Sequence, residues 1–393
     1  TLKKKKILFI IILSGNLGLL GFFKYADFAI LQFNFLGNAL NLQTQIPSLE
    51  LILPIGISFY TFHSIGYMTD VYRGVIKPST SLREYAIFIT FFPQLVAGPI
   101  LRAKHFLPQL REKMEKSKNG VRLRQIIYSR ANLKLGVTIM AFGFFKKMFI
   151  ADNVKIMVDQ IFENPIGLDS FTIILGTIGF GIQIYCDFSG YSDIAIGAAL
   201  IMGFNIPLNF NKPYFATNPS DFWKRWHISL SSWLRDYLYV PLGGNKKSLP
   251  RIVVNLMIVM ILGGLWHGAS LNFLVWGLLH GSYLVIYKIG KKYYDKLHLP
   301  KIKSPIAVFI SIIITQYFVF LAWIPFRVKD FDQMTYSMQK YIFWDFATDN
   351  TINLILTGAS ENGIGNLAVG NAIVERTRDQ AGVGNKAELP GLW

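Results

Sequence analysis

The sequence predicts an all-α protein that crosses a membrane several times, on three observations. The 393 residues are 52% hydrophobic and only 16% charged, where an average soluble chain carries about a quarter charged residues. The apolar residues stand in long blocks, not in the fine alternation of half-buried strands. Basic residues collect in the loops between those blocks, the pattern of segments held on the cytoplasmic side of a membrane. The 32 Phe, 18 Tyr and 8 Trp fit the same class, because amphipathic rings settle at membrane interfaces.

Lys3 to Lys6 followed by Ile7 to Phe23 has the outline of a signal peptide. No small-residue cleavage site follows, and more apolar blocks do, so this stretch reads as a membrane helix. Residues 27–36 read as a short or re-entrant piece. Further apolar blocks lie near 50–70, 85–100, 127–150, 170–186, 190–205, 252–270, 271–289 and 305–326. At ~20 residues per span this makes about eight to ten membrane segments. Pro54-Ile-Gly56, Pro93 and Gly98-Pro99 interrupt their blocks and point to broken or re-entrant helices around a cavity. No repeat of solenoid period and no low-complexity run is present. The chain therefore divides into a membrane region, 1–330, and a C-terminal segment, 331–393. Residues 345–393 carry Asn, Gly, Glu and Arg with little apolar patterning, and read either as a soluble extension or as sequence foreign to the natural C-terminus.

Lys and Arg number 40 against 23 acidic residues, a net charge of +17. The charges flank apolar runs and no nucleic-acid motif appears, so the partners they imply are the lipid bilayer and anionic ligands, not nucleic acid. The basic stretches 102–124, 246–251 and 288–303, with the leading lysines, are expected on the cytoplasmic side. A basic face there would attract an anionic donor such as a CoA thioester. The single cysteine, Cys186, excludes an internal disulfide and a cysteine zinc cluster. A carboxylate beside it and apolar burial make it a poor nucleophile.

Chemistry concentrates between Gly181 and Gly281. Asp221-Phe-Trp-Lys-Arg-Trp-His227-Ile-Ser-Leu-Ser-Ser-Trp-Leu-Arg-Asp236 is dense in Trp, Arg and His. An apolar run containing Asn255 then ends in Gly263-Gly-Leu-Trp-His267-Gly. His267 stands in almost wholly apolar sequence, and an ionisable residue inside a membrane is a functional candidate. A neutral imidazole there can accept a proton and so serve as a general base. The bland alternative is a neutral histidine bonded between helices, and for His227 it is an interfacial polar cluster with Arg225 and Asp236. His63 and His280 read as packing histidines, and His105 and His298 as solvated ones. The 40 residues between His227 and His267 offer no metal-ligand spacing, so no metal is expected. Asp187-Phe-Ser-Gly-Tyr-Ser-Asp193 breaks an apolar block with two carboxylates. It either lines a substrate path or caps a junction between two helices, the second being slightly favoured. Gly243-Gly-Asn-Lys-Lys-Ser248 lacks the spacing of a phosphate loop, which argues against a nucleotidase.

These residues resemble the membrane-bound O-acyltransferase family, and within it the bacterial branch of alginate and peptidoglycan O-acetyltransferase membrane subunits. The matching stretches are Phe91-Phe-Pro-Gln-Leu-Val-Ala-Gly-Pro99, Tyr185 to Asp193, Asn209-Phe-Asn-Lys-Pro-Tyr214, Asp221 to Asp236 and Gly263 to Gly268, over roughly residues 10–330. The branch that transfers D-alanine to teichoic acids matches less well. The resemblance implies a ring of transmembrane and re-entrant helices around a central tunnel, with His267 as the catalytic histidine and His227 as its second polar position. Donor and acceptor binding are expected at Trp223, Arg225, Trp226, Arg235, Asp236, Asp187, Ser189, Tyr191, Asn255 and Trp266.

The resemblance further implies acetyl-CoA as a donor substrate entering from the cytoplasm, no permanently bound cofactor, and a multi-pass location in the bacterial cytoplasmic membrane. An extracytoplasmic O-acetyltransferase partner protein is expected to take part, and further membrane helices on both sides of the matched stretch. Whether His267 acts as a base or carries the acetyl group stays open. The acceptor is expected to be cell-wall peptidoglycan, because a composition rich in Lys, Ile and Asn fits an AT-rich genome; alginate or another exopolysaccharide is the alternative. A transporter relaying ions through Asp187, Asp193, His227 and His267 is the rival from another class.

Overall fold

The computed structural model describes residues 2–345 except 43–44, 80, 96–97, 123–124, 126–128 and 299–303. The stretch 346–393, which holds almost all of the expected extension, lies outside the described residues. Among the described residues the ordered elements are helices and no strand occurs. Five helices are long and apolar enough to cross a membrane: Lys3–Ala39, Ser170–Ile201, Leu249–His267, Leu271–Lys296 and Pro305–Arg327.

Five such helices are fewer than the segments the apolar blocks suggest, and two supposed breaks account for part of the difference. The first helix, α1 (Leu2–Ala39), runs unbroken through the boundary expected between 7–23 and 27–36. The polar residues that mark that boundary are satisfied sideways. Tyr25 donates to the Leu265 carbonyl at 2.7 Å, and Asp27 accepts from the Ser48 hydroxyl and from the N–H groups of Leu49 and Leu51. The junction expected at 187–193 is likewise absent, since Ser170–Ile201 is one helix. A polar residue inside an apolar helix does not end it where a neighbouring helix supplies its partner.

The remaining elements can now be placed. α2 spans Ile57–Tyr72, α3 Leu82–Ile89 and α4 Ala103–Lys118. α5 (Arg130–Phe144) passes through a π-helical segment, Phe145–Ala151, into α6 (Asp152–Phe162). α7 is Ser170–Ile201. Two short helices, α8 (Pro219–Arg225) and α9 (Ile228–Leu234), follow, the second leading into a π segment, Arg235–Tyr239. The hairpin α10 (Leu249–His267) and α11 (Leu271–Lys296), then α12 (Pro305–Arg327) and α13 (Phe331–Ile342), complete the fold.

Helices in lipid gain little from hydrophobicity and associate where small residues let backbones approach. α5 and α7 meet through two facing glycine pairs. A Cβ on Gly197 would fall 2.5 Å from the Gly136 carbonyl oxygen, and one on Gly190 would fall 2.8 Å from that of Gly143. Just beyond, the π segment brings Lys146 and Lys147 onto α7, because a wider turn rotates successive residues through a smaller angle. Lys146 pairs with Asp193 at 2.6 Å and donates to Ser189 at 3.0 Å, while Lys147 pairs with Asp187 at 2.8 Å. The charges that looked like a helix junction are thus one side of an interhelical ion-pair set.

The basic stretches gather at one end. α10 and α11 are joined by three residues, 268–270, and lie antiparallel. Their basic ends therefore coincide, and Lys288 donates to Asn245 there at 3.2 Å. α1 and α2 are antiparallel, with Phe9 stacked on Tyr72 and Lys24 bound to Ser58. Because Lys24 also reaches the end of α10, α1 runs parallel to α10 and its leading lysines fall at the same end. Arg73 and Arg102 join them through Asp236.

Gly197→Leu should drive α5 and α7 apart and destabilise the protein by about 2 kcal/mol, the usual cost of overpacking. A lower thermal midpoint in detergent than that of Ile201→Leu, on the same helix, is the expected result.

Candidate functional site

His267 is the last residue of α10. The chain leaves the helix through Gly268 in an extended conformation, φ −164°, ψ 152°. A Cβ there would lie 2.1 Å from the Phe273 ring, so any other residue would have to displace that ring. The hairpin behind it is held by backbone contact, since a Cβ on Gly264 would meet the Phe273 carbonyl oxygen at 2.2 Å. The His267 ring is enclosed by aromatic side chains, with centroids at 4.9 Å (Trp266), 5.0 Å (Phe326) and 5.2 Å (Trp276).

His227 reaches the same place from the short helices. Its backbone is left-handed, φ 43°, ψ 53°, at the head of α9, a conformation that costs a non-glycine residue roughly 1–2 kcal/mol. The segment after α7 holds it there. The Asn209 carbonyl accepts the Ile228 N–H at 2.9 Å, and its side-chain oxygen accepts the Ser229 hydroxyl at 2.6 Å. The Asn209 amide donates to Ser192 on α7 at 3.1 Å, and Asn211 N–H donates to the Arg225 carbonyl at 2.9 Å. Ser229 in turn accepts the Ile100 N–H at 2.9 Å, and His63 accepts that of Leu101 at 3.1 Å. The sequence stretches Phe91–Pro99, Asn209–Tyr214 and Asp221–Asp236 therefore lead into one clamp around His227.

The His227 and His267 rings lie 6.5 Å apart between centroids. His227 is almost fully buried, with Phe188 of α7 edge-on at 4.6 Å, while His267 keeps part of its surface open. A third histidine, His280 on α11, is buried behind Trp276 at 4.7 Å and beside Trp223 at 5.1 Å. Several buried polar atoms in this cluster have no hydrogen-bond partner among the described residues: His227 Nδ1, His280 Nε2 and the indole nitrogens of Trp223, Trp266, Trp276 and Trp323. Buried polar groups are nearly always paired. Such a group of unpaired imidazole and indole nitrogens can take a proton from a substrate and donate hydrogen bonds to an oxygen that becomes negative.

Two adjoining cavities run from the basic end as far as Ile228 and Met260. The outer, about 550 Å³, is lined by Asp221, Asn245 and the lysines Lys224, Lys288 and Lys291. The inner, about 330 Å³, passes Trp223, Ile228 and Met260 and is more apolar. The two share Ser220, Lys224, Tyr239, Leu256 and Leu284. Met260 stands two helical turns before His267, so the inner cavity follows the α10 face that carries the histidine.

The other expected site residues fall into three groups. Trp223 and Trp266 stand with the histidines. Trp226 is buried in the core between Tyr214 and Trp323, and Arg225 binds Asp221 at 2.9 Å. Arg235 and Asp236 pair at 2.7 Å at the basic end, where Arg102 also reaches Asp236 at 3.2 Å. Burial acts to raise the Asp236 carboxyl, but the hydrogen bond and charge of Arg235, with Arg102 and Lys104 behind, outweigh it and hold the group below the ordinary carboxylate range. Asn255 donates to the Leu242 carbonyl at 3.1 Å, below the inner cavity. Asp187, Ser189 and Tyr191 contact Lys146 and Lys147 of the π segment. Among the described residues no group of three His, Cys, Asp or Glu could hold a metal ion. Lys24 is not among the residues the sequence points to, and His280 reads there as a packing histidine. Lys24 is an ionisable residue within an apolar helix, the signal that drew attention to His267.

Comparison with known proteins matches residues 75–324 to the model of the membrane-bound O-acyltransferase family. The chain is 37% identical to a peptidoglycan O-acetyltransferase of Helicobacter pylori over 354 residues, covering 84% of this chain and 63% of that protein. It is 38% identical to a probable alginate O-acetylase AlgI of Pseudomonas aeruginosa over 346 residues, 86% of this chain and 61% of that protein. A teichoic acid D-alanyltransferase of Bacillus subtilis is 29% identical over 301 residues, 74% of this chain and 72% of that protein. The chain spans about three fifths of the length of the first two relatives.

The left-handed backbone at His227 predicts that His227→Gly is more stable than His227→Ala by about 1 kcal/mol. Both variants lose the imidazole, so thermal midpoints in detergent compare the backbone alone. Equal midpoints, or a more stable alanine variant, would contradict the strained geometry.

Proposed function

The chain belongs to the membrane-bound O-acyltransferase family, and from that premise we propose that it passes an acetyl group from cytoplasmic acetyl-CoA to an acceptor on the far side of the membrane. The observation that carries this reading is the placement of His267 at the end of α10, in an aromatic enclosure beside His227, with a lysine-lined cavity at the basic end that adjoins an inner one reaching Met260 on the same helix.

The phosphates of CoA suit Lys224, Lys288 and Lys291, since ammonium groups attract an anionic donor. The pantetheine arm follows the inner cavity past Trp223 and Met260 and brings the thioester to His267. His267 takes the proton of an acceptor hydroxyl as its oxygen attacks the acetyl carbonyl carbon. The carbon–sulfur bond then breaks, and the CoA thiolate leaves and takes up a proton. His227 and the neighbouring indole N–H groups orient the thioester oxygen and stabilise its developing charge. The acceptor approaches from the end of the bundle where Gly268, Phe273 and Phe326 surround His267. A hydroxyl on an extracytoplasmic O-acetyltransferase partner is the acceptor we favour, with the partner then modifying the polymer. The path from the basic end to the acceptor end is the tunnel of this reading.

Peptidoglycan is the polymer proposed. The Helicobacter relative is named for it, and a composition rich in Lys, Ile and Asn fits the usual alginate producers poorly. Alginate or another exopolysaccharide is the second reading, because the alginate relative is as similar in sequence.

Base-released acetate from peptidoglycan and from secreted polysaccharide, compared between wild-type and His267→Ala cells at equal membrane levels, tests the reading. One polymer should lose its acetate in the variant by about a hundredfold or more, the scale of a lost general base, and that polymer identifies the acceptor. Equal acetate in both strains would remove His267 from the chemistry. At the donor end, Lys288→Glu with Lys291→Glu should raise KM for acetyl-CoA about tenfold with little change in kcat, the signature of binding lost equally from ground and transition states.

A further inference from the structure

We propose that Lys24, on α1, is a positioning residue for His267, holding the end of α10 from outside its own hairpin; the inference rests on His267 being the base of the proposed reaction. The last four carbonyls of an α-helix have no partner within the helix. In α10 these belong to Gly264, Leu265, Trp266 and His267, and Gly268 is extended where a left-handed glycine would fold the chain back over them. Two of the four are satisfied by adjacent residues of α1. The Tyr25 hydroxyl donates to the Leu265 carbonyl at 2.7 Å, and the Lys24 ammonium donates to the Trp266 carbonyl.

The same ammonium reaches the Ser58 hydroxyl of α2 at 3.4 Å and stands 5.6 Å from the centre of the Trp266 ring. Lys24 therefore ties α1, α2 and α10 together at the residue before His267. A neutral side chain could satisfy one carbonyl, and a charge within an apolar helix is costly. The placement of the ammonium offers a reason for bearing that cost: a cation belongs at the negative end of a helix dipole, and this helix end carries the reacting imidazole. Trp266, held by its carbonyl and under its ring, packs on both His267 and His227, at 4.9 Å and 6.2 Å. Releasing Lys24 would loosen both histidines together.

The test uses the full chain in native membranes, with acetyl-CoA as the probe and release of CoA thiol as the readout, alongside thermal midpoints. Lys24→Met should lower kcat roughly ten- to hundredfold, the cost of a small misplacement of a reacting group, with KM for acetyl-CoA little changed. Lys24→Arg, which keeps the charge and the donors, should recover most of it. If Lys24→Met does not reach the membrane, Lys24→Gln is read in its place and should lose about tenfold in kcat. A wild-type kcat in the neutral variant, or a raised KM with kcat kept, overturns the positioning role while His267→Ala remains inactive. Transfer by His267→Ala membranes overturns the catalytic reading and this one together.

Discussion

A polar group in the hydrocarbon of a membrane must find its partner within the protein, because no water is there to supply one. The architecture follows from that requirement. Asp27 folds the chain after α1 back onto the helix by accepting from Ser48, Leu49 and Leu51. Lys146 and Lys147 bind α5 and its π extension to the carboxylates of α7, beside glycine pairs that set the distance between the two backbones. Asn272 at the head of α11 donates to the carbonyls of Val328 and Lys329 and fixes the end of α12. Each link joins elements distant in sequence, so the ties that satisfy polar atoms also define the packing. Breaking one partner of such a pair leaves a buried charge uncompensated, a larger loss than the pair's own net contribution.

The histidine cluster departs from this pattern. Around His227, His267 and His280 the surrounding helices bring indole and imidazole nitrogens together without pairing them, although Asn209, Ser229 and Ser192 a few ångströms away are fully engaged. Unpaired buried polar atoms occur elsewhere too, at Gln94 and Thr172 for example, but here imidazole and indole nitrogens gather in one place. A site that must bind a changing charge needs donors in place and uncommitted before the substrate arrives, so that little reorganisation is left for the reaction. The left-handed backbone of His227 belongs to the same economy. It persists because the backbone on both sides is pinned by Asn209 and Asn211, and strain of this kind survives only where the surroundings over-determine it.

The fold class, the loops at the basic end and the segment that builds the site were legible in the sequence, each for a physical reason. Block-like apolar patterning is imposed by the bilayer, and lysines mark the ends of spans. Trp, Arg and His between Asp221 and Asp236 stand out against apolar surroundings. The helix boundaries were not legible. Tyr25 and Asp27, or Asp187 and Asp193, look like interruptions as long as their partners at Leu265, Ser48 or Lys147 are unseen, because nothing local distinguishes a helix break from a helix with a distant partner. The same limit hid the contacts of Asp187, Ser189 and Tyr191 with Lys146 and Lys147. It also hid His280, which looks like packing from its neighbours in the chain and becomes part of the cluster only when Trp223 and Trp276 close on it.

The proposed reaction places two demands on one histidine, and the geometry keeps them apart. The proposed donor is large and anionic, and the features that suit it, the lysines and the long cavity, lie on the short helices and on the basic ends of α10 and α11. The proposed acceptor side is formed by the other ends of α10, α11 and α12, where glycine at 268 and phenylalanines at 273 and 326 supply shape and no charge. Because α10 runs from one of these regions to the other, its C-terminal turn is where they meet, and His267 occupies the last position of that turn. A helix end is the one place on a rigid element where the backbone can open without breaking the internal hydrogen-bond ladder. In the proposed reaction, an imidazole placed there lets the scaffold stay closed while the side chain faces both substrates, and the outer ties of that turn become as important to the chemistry as the histidine's own neighbours.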